Sequence, residues 1–407
     1  GFLFVKNGYL NGKLFVTLHP KVEKAMILAI DIGNSYTKIA VYEGKEVVKR
    51  KKQNRALQND PGEYFRTMAF FLGYPIRSGE KKEIILVREL EKTLASKDKP
   101  LFDAFLNPSG FSNIIAEKIP SLIFPYGINS SQLTAVRNAF SSRVSIIQGP
   151  PGTGKTQTIL NILANIVIQG KTAMVVAGAN SAIDNIMEKL NEGADNIGFI
   201  AARLGNTDKR NEFFKSINEE TIKLPCIWNS NVSTNAIDQL VNDLAPLLDE
   251  NVEYYQTLHS DDARKHNKCE ALKKDLIVHG FPEKIAELSE LSMKKLKAYL
   301  YKRFNGEPRS RFSENDLSTP EDSLRFLDEY PIVLSTTYSS TCSKESSTLF
   351  DYVIFDEASQ VDIVSGLLAF SCARNAVVVG DSKQLPNVVS KPNKRPPRAA
   401  TNATQNI

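Results

Sequence analysis

One octapeptide constrains this chain more than any other feature of its sequence. Residues 149–156 read GPPGTGKT and fit the pattern G-x-x-x-x-G-K-[ST] of a phosphate-binding loop. The apolar residues Val144, Ile146 and Ile147 precede this phosphate loop, and a helix-like run at residues 156–167 follows it. The pattern needs a strand, a loop and a helix in that order, because the loop amides and the helix N-terminus bind phosphate oxygens together. The octapeptide therefore predicts a parallel α/β domain with a nucleotide site.

The side chains of the phosphate loop predict how the nucleotide is held. Lys155 has the position of the lysine that reaches the β- and γ-phosphates, and the Thr156 hydroxyl has the position of an Mg²⁺ ligand. A chance match in a Gly/Pro turn is the alternative, and the strand and helix around the loop disfavour it. The predicted nucleotide contacts in the loop are Gly149, Pro150, Pro151, Gly152, Thr153, Gly154, Lys155 and Thr156.

An acidic pair follows the apolar run at residues 352–355. The second Mg²⁺ anchor is expected where a buried strand ends, on a strand directly beside that of the phosphate loop. We therefore assign Asp356 to Mg²⁺ through a coordinated water. We assign Glu357 to the attacking water, as its general base. The alternative is a strand-terminal acidic pair that takes no part in chemistry.

A polar segment, GDSKQLP at residues 380–386, follows a third apolar run. An amide at the carboxyl end of this strand can contact the γ-phosphate, so Gln384 would respond to whether ATP or ADP is bound. On its own the segment is a weak turn motif. Together with Lys155, Asp356 and Glu357, Gln384 completes the predicted catalytic set.

These motifs, in their order along the chain, resemble those of superfamily 1 helicases, in the group that contains the nonsense-mediated-decay RNA helicase and its DNA-replication relatives. The resemblance covers roughly residues 124–389, apart from an insertion. It implies a RecA-like fold, ATP and Mg²⁺ as cofactors, and 5′-to-3′ movement on single-stranded DNA or RNA. It also implies that Gln132 contacts adenine and that Gln157 belongs to the nucleotide site. The matching segments are NSSQ at 129–132, the phosphate loop, ANSAIDN at 179–185, VLSTT at 333–337, DEASQ at 356–360 and GDSKQLP.

The resemblance further implies a nucleic-acid site on two other segments, at Asn180 and Ser181 and at Thr336 and Thr337. Short polar side chains on loops suit contacts to phosphate or sugar, and such contacts do not read the base sequence. Ordinary loop capping by these residue types is the alternative. With the helicase resemblance, nucleic-acid contact is favoured.

One part of the family pattern has no counterpart in this sequence. Superfamily 1 helicases continue into a second RecA-like domain, which supplies an arginine for the transition state and half of the nucleic-acid track. Only residues 387–407 follow the last motif here, and residue 1 is Gly, which suggests a fragment or a processed product. We therefore expect a chain that binds ATP and Mg²⁺, turns over slowly and does not unwind alone. The alternative is a nucleotide-gated regulatory or partner-binding module that never translocates.

The predicted fold class is α/β, a RecA-like parallel sheet with a helical insertion and a small N-terminal α+β accessory region. The accessory region reads as β-rich over residues 1–60 and as mainly helical over residues 62–106. The predicted units are residues 1–112 for the accessory region, 113–207 and 328–390 for the RecA-like domain, 208–327 for the insertion, and 391–407 for a disordered tail.

Within the insertion, apolar residues recur at helical spacing and predict an antiparallel hairpin broken near Gly280-Phe281-Pro282. The basic residues Lys294, Lys295 and Lys297 are interpreted as a solvated helix face rather than as a binding patch.

A second motif lies near the N-terminus, where residues 29–38 read AIDIGNSYTK. This segment resembles the first phosphate motif of actin- and sugar-kinase-type ATPases, whose full site needs two further Gly-rich motifs. The favoured alternative is a β-hairpin that turns at Gly33-Asn34 and is capped by Asp31.

Composition limits the remaining classes of protein. The net charge of +5 permits a polyanionic partner without requiring one. The four cysteines are scattered and form no CxxC pair, which favours a reducing compartment, and we expect a cytoplasmic protein. No apolar run approaches the ~20 residues that span a bilayer, so no membrane partner is expected.

Overall fold

Two sheets of different type account for most of the strands in this chain. The computed structural model describes residues 9–10, 13–18, 26–32, 36–43, 46–54, 75–78, 81–96, 98–106, 111–115, 119–192, 196–205, 207–217, 219–258, 266–313, 319–340, 348–381 and 383.

The first sheet is an antiparallel meander of five strands in the order β1-β2-β3-β4-β5. Its strands are β1 (Tyr9–Leu10), β2 (Lys13–Leu18), β3 (Met26–Ile32), β4 (Tyr36–Glu43) and β5 (Glu46–Asn54). Strands β3 and β4 form a hairpin in which Asp31 pairs with Lys38. The strands confirm the β-rich interpretation, and the turn residues Gly33 and Asn34 lie outside the described residues.

A short hairpin and two helices follow the meander. Strands β6 (Pro75–Ser78) and β7 (Lys81–Ile84) pair antiparallel, and helices α1 (Ile85–Ala95) and α2 (Pro100–Leu106) come next. The prediction of helix for residues 62–106 was therefore wrong at residues 75–84. Four-residue strands are too short to show the alternation that identifies a strand in sequence, whereas the helix after them has a clear period.

The second sheet is parallel and has six strands in the order β10-β11-β9-β12-β13-β8. Its strands are β8 (Val144–Gln148), β9 (Ala173–Ala177), β10 (Ala201–Arg203), β11 (Ile332–Thr336), β12 (Phe350–Asp356) and β13 (Ala373–Gly380). All of β9 is buried, as expected for a parallel strand covered on both faces. The domain is an α/β fold of the RecA-like type, as the sequence predicted.

Helices pack on both faces of the parallel sheet. The helices after residue 129 are α3 (Ser130–Ser141), α4 (Lys155–Ile168), α5 (Asn180–Leu190), α6 (Thr207–Ser216), α7 (Thr234–Leu258), α8 (His266–Val278), α9 (Phe281–Phe304), α10 (Pro320–Glu329) and α11 (Ile363–Phe370). Ten consecutive residues of α4, Thr158 to Val167, are buried. Helix α4 therefore lies at the centre of one of the two apolar cores, which places the phosphate loop on a rigid support.

Three helices, α7, α8 and α9, form most of the insertion. Buried residues of α7 and α9, among them Leu244 and Leu296, join the same core as α4. The backbone amide of Phe124 donates to Ser292 Oγ of α9 at 2.9 Å, which ties the insertion to the segment before α3. The predicted break lies between α8 and α9, where Gly280 has a φ of 64°.

The three lysines of α9 have local partners. Lys294 pairs with Glu290, Lys295 donates to Thr234, and the Lys297 ammonium lies 5.3 Å from the centre of the Trp228 ring. Only Lys294 is exposed, so the interpretation of a solvated face holds for Lys294 and not for the half-buried Lys295 and Lys297. The predicted tail, residues 391–407, lies outside the described residues. None of the helices in the described ranges combines the length and apolarity that a membrane crossing requires.

Candidate nucleotide and nucleic-acid sites

The phosphate loop joins β8 to α4 and is shaped by its glycines. Gly152 and Gly154 have φ of 82° and 80°, a region that side chains other than Gly rarely adopt. The amide of Gly149 donates to the carbonyl of Gly380 at 3.1 Å, so the loop is fixed to the neighbouring strand β13. Lys155 Nζ donates to the Gly149 carbonyl at 2.8 Å and therefore lies across the mouth of the loop. The loop thus combines the backbone conformation of a phosphate-binding loop with an ammonium folded back against its first residue.

Gln132 and Gln157 brace the loop from the side of α3. Gln132 is buried, and its Nε2 donates to Gln157 Oε1 at 2.9 Å and to the Gly154 carbonyl at 3.2 Å. Gln157 Nε2 donates in turn to the Tyr126 carbonyl. A Cβ at Gly154 would overlap the Gln132 amide, so a side chain here would displace the brace as well as strain the backbone. The structure thus places both residues against the loop, and adenine contact by Gln132 stays a prediction.

Asp356 ends β12 and faces the same edge of the sheet as the phosphate loop. The expectation that its strand lies directly beside the loop strand was wrong, because β13 lies between β12 and β8. Three parallel strands end together here, so Asp356 still comes close enough to Lys155 for their charges to interact. The sequence orders strands along the chain, but their order in a sheet depends on crossover connections that it does not reveal.

Burial is the main cause of an unusual acidity at Asp356. Burial, together with a smaller effect of the Glu357 charge, raises the pKa of this carboxyl from 3.8 to about 6. The amide of Glu357, which donates to Asp356 Oδ1 at 2.9 Å, and the Lys155 ammonium both act in the opposite direction. A buried carboxylate and a threonine hydroxyl are both oxygen donors, the type of ligand that Mg²⁺ prefers. The chemistry of Thr156 and Asp356 therefore fits the predicted metal site, and their joint coordination of Mg²⁺ stays a prediction.

We predict that Asp356→Asn stabilises the nucleotide-free fold at pH 8. The folded state disfavours the Asp356 carboxylate, and a shift of about two pKa units corresponds to about 3 kcal/mol, which a neutral amide removes. The gain should shrink as the pH falls through about 6, because Asp356 then takes up a proton in the folded state, and should nearly vanish at about pH 4. Urea unfolding at pH 8 and pH 5 measures it.

The exposed Asp243→Asn is the matched control for this prediction and should change little. A variant at Asp356 that is less stable than the parent chain at pH 8, or equally stabilised at both pH values, would contradict the assignment of burial as the cause.

Glu357 has a strained backbone. Its φ is 51°, the one positive φ at a non-Gly position among the described residues. Such a conformation costs on the order of 1–3 kcal/mol and persists where surrounding contacts enforce it. The Glu357 side chain accepts a hydrogen bond from Gln360 Nε2 at 2.9 Å. Both the backbone and the carboxylate of the predicted general base are therefore held in place.

The predicted nucleic-acid residues lie at the carboxyl ends of two other strands of the sheet, β9 and β11. Asn180 and Ser181 are exposed at the start of α5, just after β9, and Thr336 ends the neighbouring strand β11. Thr337 is only 2% exposed, and its carbonyl accepts from Ser340 Oγ at 2.7 Å. The burial of Thr337 argues against contact through its side chain, because the tight turn at Thr337–Ser339 directs it inward.

Arg203 is the residue of this region that sequence reasoning missed. It ends β10 with a side chain only 9% exposed, and its Nε donates to Asp184 Oδ1 at 3.0 Å. Its Nη2 donates to Asn180 Oδ1 at 2.8 Å, so Arg203 fixes the Asn180 side chain. A Cβ at Gly205 would overlap Arg203 Nη1, which explains the glycine there. A charged residue directly after an apolar strand was the available signal.

Gln384, the last predicted catalytic residue, lies outside the described residues, and its contact with the γ-phosphate stays a prediction. The preceding Asp381 is buried and accepts a hydrogen bond from the amide of Lys383 at 2.9 Å.

Comparison with known proteins places most of this chain in one family. The AAA domain family matches residues 127–392. The helicase SEN1 of Saccharomyces cerevisiae is 27% identical over 330 residues, which cover 69% of this chain and 14% of that protein. The DNA polymerase alpha-associated DNA helicase A of the same yeast is 25% identical over 301 residues, 70% of this chain and 35% of that protein.

A shorter but closer match comes from an animal protein. The regulator of nonsense transcripts 1 homolog of Drosophila melanogaster is 45% identical over 64 residues, 16% of this chain and 5% of that protein. The chain spans well under half the length of each of these relatives.

Proposed function

We propose that this chain couples ATP hydrolysis to movement on single-stranded nucleic acid. It belongs to the AAA domain family of superfamily 1 helicases. It carries the ATP-binding domain of such a helicase. The observation that supports coupling is the shared sheet edge. The carboxyl ends of β8, β13 and β12 form one half of this edge, the nucleotide half. Those of β9, β11 and β10 form the other half, which we name the strand half after the nucleic-acid strand that it would contact.

In the nucleotide half, the proposed chemistry is positioning and charge neutralisation. Lys155 neutralises charge on the β- and γ-phosphates, and Thr156 and Asp356 hold Mg²⁺, which would supply further neutralisation when bound. Glu357 orients the attacking water and accepts its proton, for which its restrained side chain is suited. Gln384 would report the presence of the γ-phosphate.

In the strand half, Asn180, Ser181 and Thr336 contact the phosphates or sugars of a single strand. Arg203 occupies the Asn180 carbonyl oxygen, so the amide nitrogen of Asn180 is the group that can donate to a phosphate oxygen. Contacts of this kind accept either DNA or RNA and any base sequence. We propose that a second RecA-like domain completes both halves and supplies an arginine to the transition state, as the family resemblance implies.

We predict that Asn180→Ala weakens the binding of a labelled single strand by about tenfold, since it removes a donor to a charged phosphate. Arg203→Lys should weaken it by a similar factor, because lysine cannot hold Asp184 and Asn180 together. Fluorescence anisotropy with an oligonucleotide measures both effects. The affinity for ATP should remain within about twofold, because neither side chain is in the nucleotide half.

The exposed Arg325→Ala, on α10, is the control for the loss of an arginine and should not change strand affinity. Wild-type strand affinity in Asn180→Ala and Arg203→Lys would contradict the proposed strand half.

The alternative function is a nucleotide-gated regulatory or partner-binding module without translocation, and the comparisons do not favour it. We also propose a cytoplasmic location, supported by the scattered cysteines of the sequence.

A further inference from the structure

The two halves of the sheet edge meet between β9 and β12. These strands are direct neighbours, and Ala177 pairs with Asp356 at their ends. The residues that follow these two β-strands are therefore Gly178 and Glu357. Gly178 leads to the proposed nucleic-acid contacts, and Glu357 is the proposed general base. Any signal that passes directly from a bound strand to the catalytic carboxylate has its shortest route here.

Gln360 lies on this route and contacts both sides. Its side-chain amide donates to Glu357 Oε2 at 2.9 Å, and its backbone amide donates to the Glu357 carbonyl at 2.8 Å. The helical turn Ala358–Gln360 that carries these bonds starts at the strained backbone of Glu357. A shift of Gln360 would therefore change the orientation of the Glu357 carboxylate.

Gly178 packs against the same residue from the other side. A Cβ added to Gly178 would lie 3.1 Å from the Gln360 carbonyl oxygen and 3.9 Å from its Cβ. The distance of 3.1 Å is shorter than ordinary van der Waals contact, so the backbones of Gly178 and Gln360 are already in close approach. Gly178 is followed within three residues by Asn180 and Ser181, so a displacement of this loop is transmitted to Gln360 by direct contact.

We propose that Gln360 is a positioning residue that aligns Glu357 for catalysis and makes this alignment respond to the segment at residues 178–181. The proposal rests on the proposed function, since that segment is taken to contact the strand. A bound strand fixes residues 178–181, the Gly178 backbone fixes Gln360, and Gln360 fixes the carboxylate. The strand thereby increases the rate of the chemical step rather than the affinity for ATP.

The decisive variant is Gln360→Glu, which keeps the shape of the side chain and its backbone contact with Gly178 but removes the donor. Steady-state ATP turnover of the 407-residue chain is measured with and without a saturating single-stranded oligonucleotide. We expect strand-stimulated kcat to fall by about tenfold and KM for ATP to stay within about twofold, because misalignment affects the reacting geometry alone. Basal kcat should fall less, so the ratio of stimulated to basal turnover decreases.

Gly178→Ala tests the other contact of the same route. The added methyl group pushes on the Gln360 carbonyl, so the ratio of stimulated to basal turnover should also fall, at strand concentrations that saturate the variant. Gln239→Glu, the same chemical change at an exposed position of α7, is the matched control and should leave all rates unchanged.

A ratio equal to wild type in both Gln360→Glu and Gly178→Ala would overturn this inference and leave the proposed function intact. Equal losses of basal and stimulated turnover would also overturn it, because alignment would then not depend on the strand. A wild-type chain that binds the strand without any change in turnover would instead contradict the proposed coupling itself.

Discussion

Lys155→Ala is expected to abolish measurable ATP binding by this chain. Lys155 is the ammonium that crosses the mouth of the phosphate loop, where its Nζ donates to the Gly149 carbonyl at 2.8 Å. Removing it leaves the negative charge of the triphosphate without its main protein counter-charge in a site that already contains the buried Asp356. We expect the Kd for ATP to rise by at least about 100-fold, as for the loss of a preorganised charge in a partly desolvated site.

The measurement is equilibrium binding of a fluorescent ATP analogue in the presence of Mg²⁺. Lys189→Ala removes the same charge from an exposed position of α5 and should bind ATP as the parent chain does. Retention of ATP affinity within a few-fold in Lys155→Ala would show that the loop does not bind the triphosphate as described.

Glu357→Gln is expected to separate binding from hydrolysis. The amide has the shape of the carboxylate but cannot accept the proton of the attacking water, so kcat should fall by about 10²–10⁴. The affinity for ATP should change by less than about threefold, because the residue acts on the water rather than on the phosphates. Single-turnover hydrolysis and analogue binding, measured on the same sample, give both quantities.

Glu188→Gln makes the same substitution at an exposed position of α5 and should hydrolyse ATP at the parent rate. Hydrolysis at the wild-type rate in Glu357→Gln would refute its assignment as the general base, and loss of ATP binding would show a structural role instead.

The nucleotide half could be predicted from the sequence because its chemistry is local. Gly152 and Gly154 shape the backbone of one continuous loop and Lys155 adds its ammonium, and the spacing of the three residues follows a pattern that is local in sequence. The acidic pair at the end of β12 was equally visible, since an apolar run followed by Asp356 and Glu357 marks a strand and its edge. Both patterns can be recognised without any knowledge of the three-dimensional arrangement.

The contacts that combine distant segments could not be predicted. Arg203 ends β10 and Asn180 begins the helix after β9, and these two strands both flank β11, which sequence does not reveal. Gln360 meets Gly178 only because β9 and β12 are neighbours. The position of β13 between β8 and β12 is likewise a matter of strand order in the sheet, which sequence does not reveal. The expected contact at Thr337 has a different difficulty. Threonine is a residue type that suits a loop contact, but the turn at Thr337–Ser339 buries this side chain.

The central claim is that the binding of single-stranded nucleic acid at one half of the sheet edge stimulates ATP hydrolysis at the other half. The most direct test is ATP turnover by the 407-residue chain as a single-stranded oligonucleotide, DNA or RNA, is titrated in. We predict a saturable rise of at least about fivefold with at least one of the two, within the range of ordinary coupling between sites. Turnover that stays flat with both oligonucleotides, at concentrations where ATP is tightly bound, would contradict the claim and favour a nucleotide-gated module.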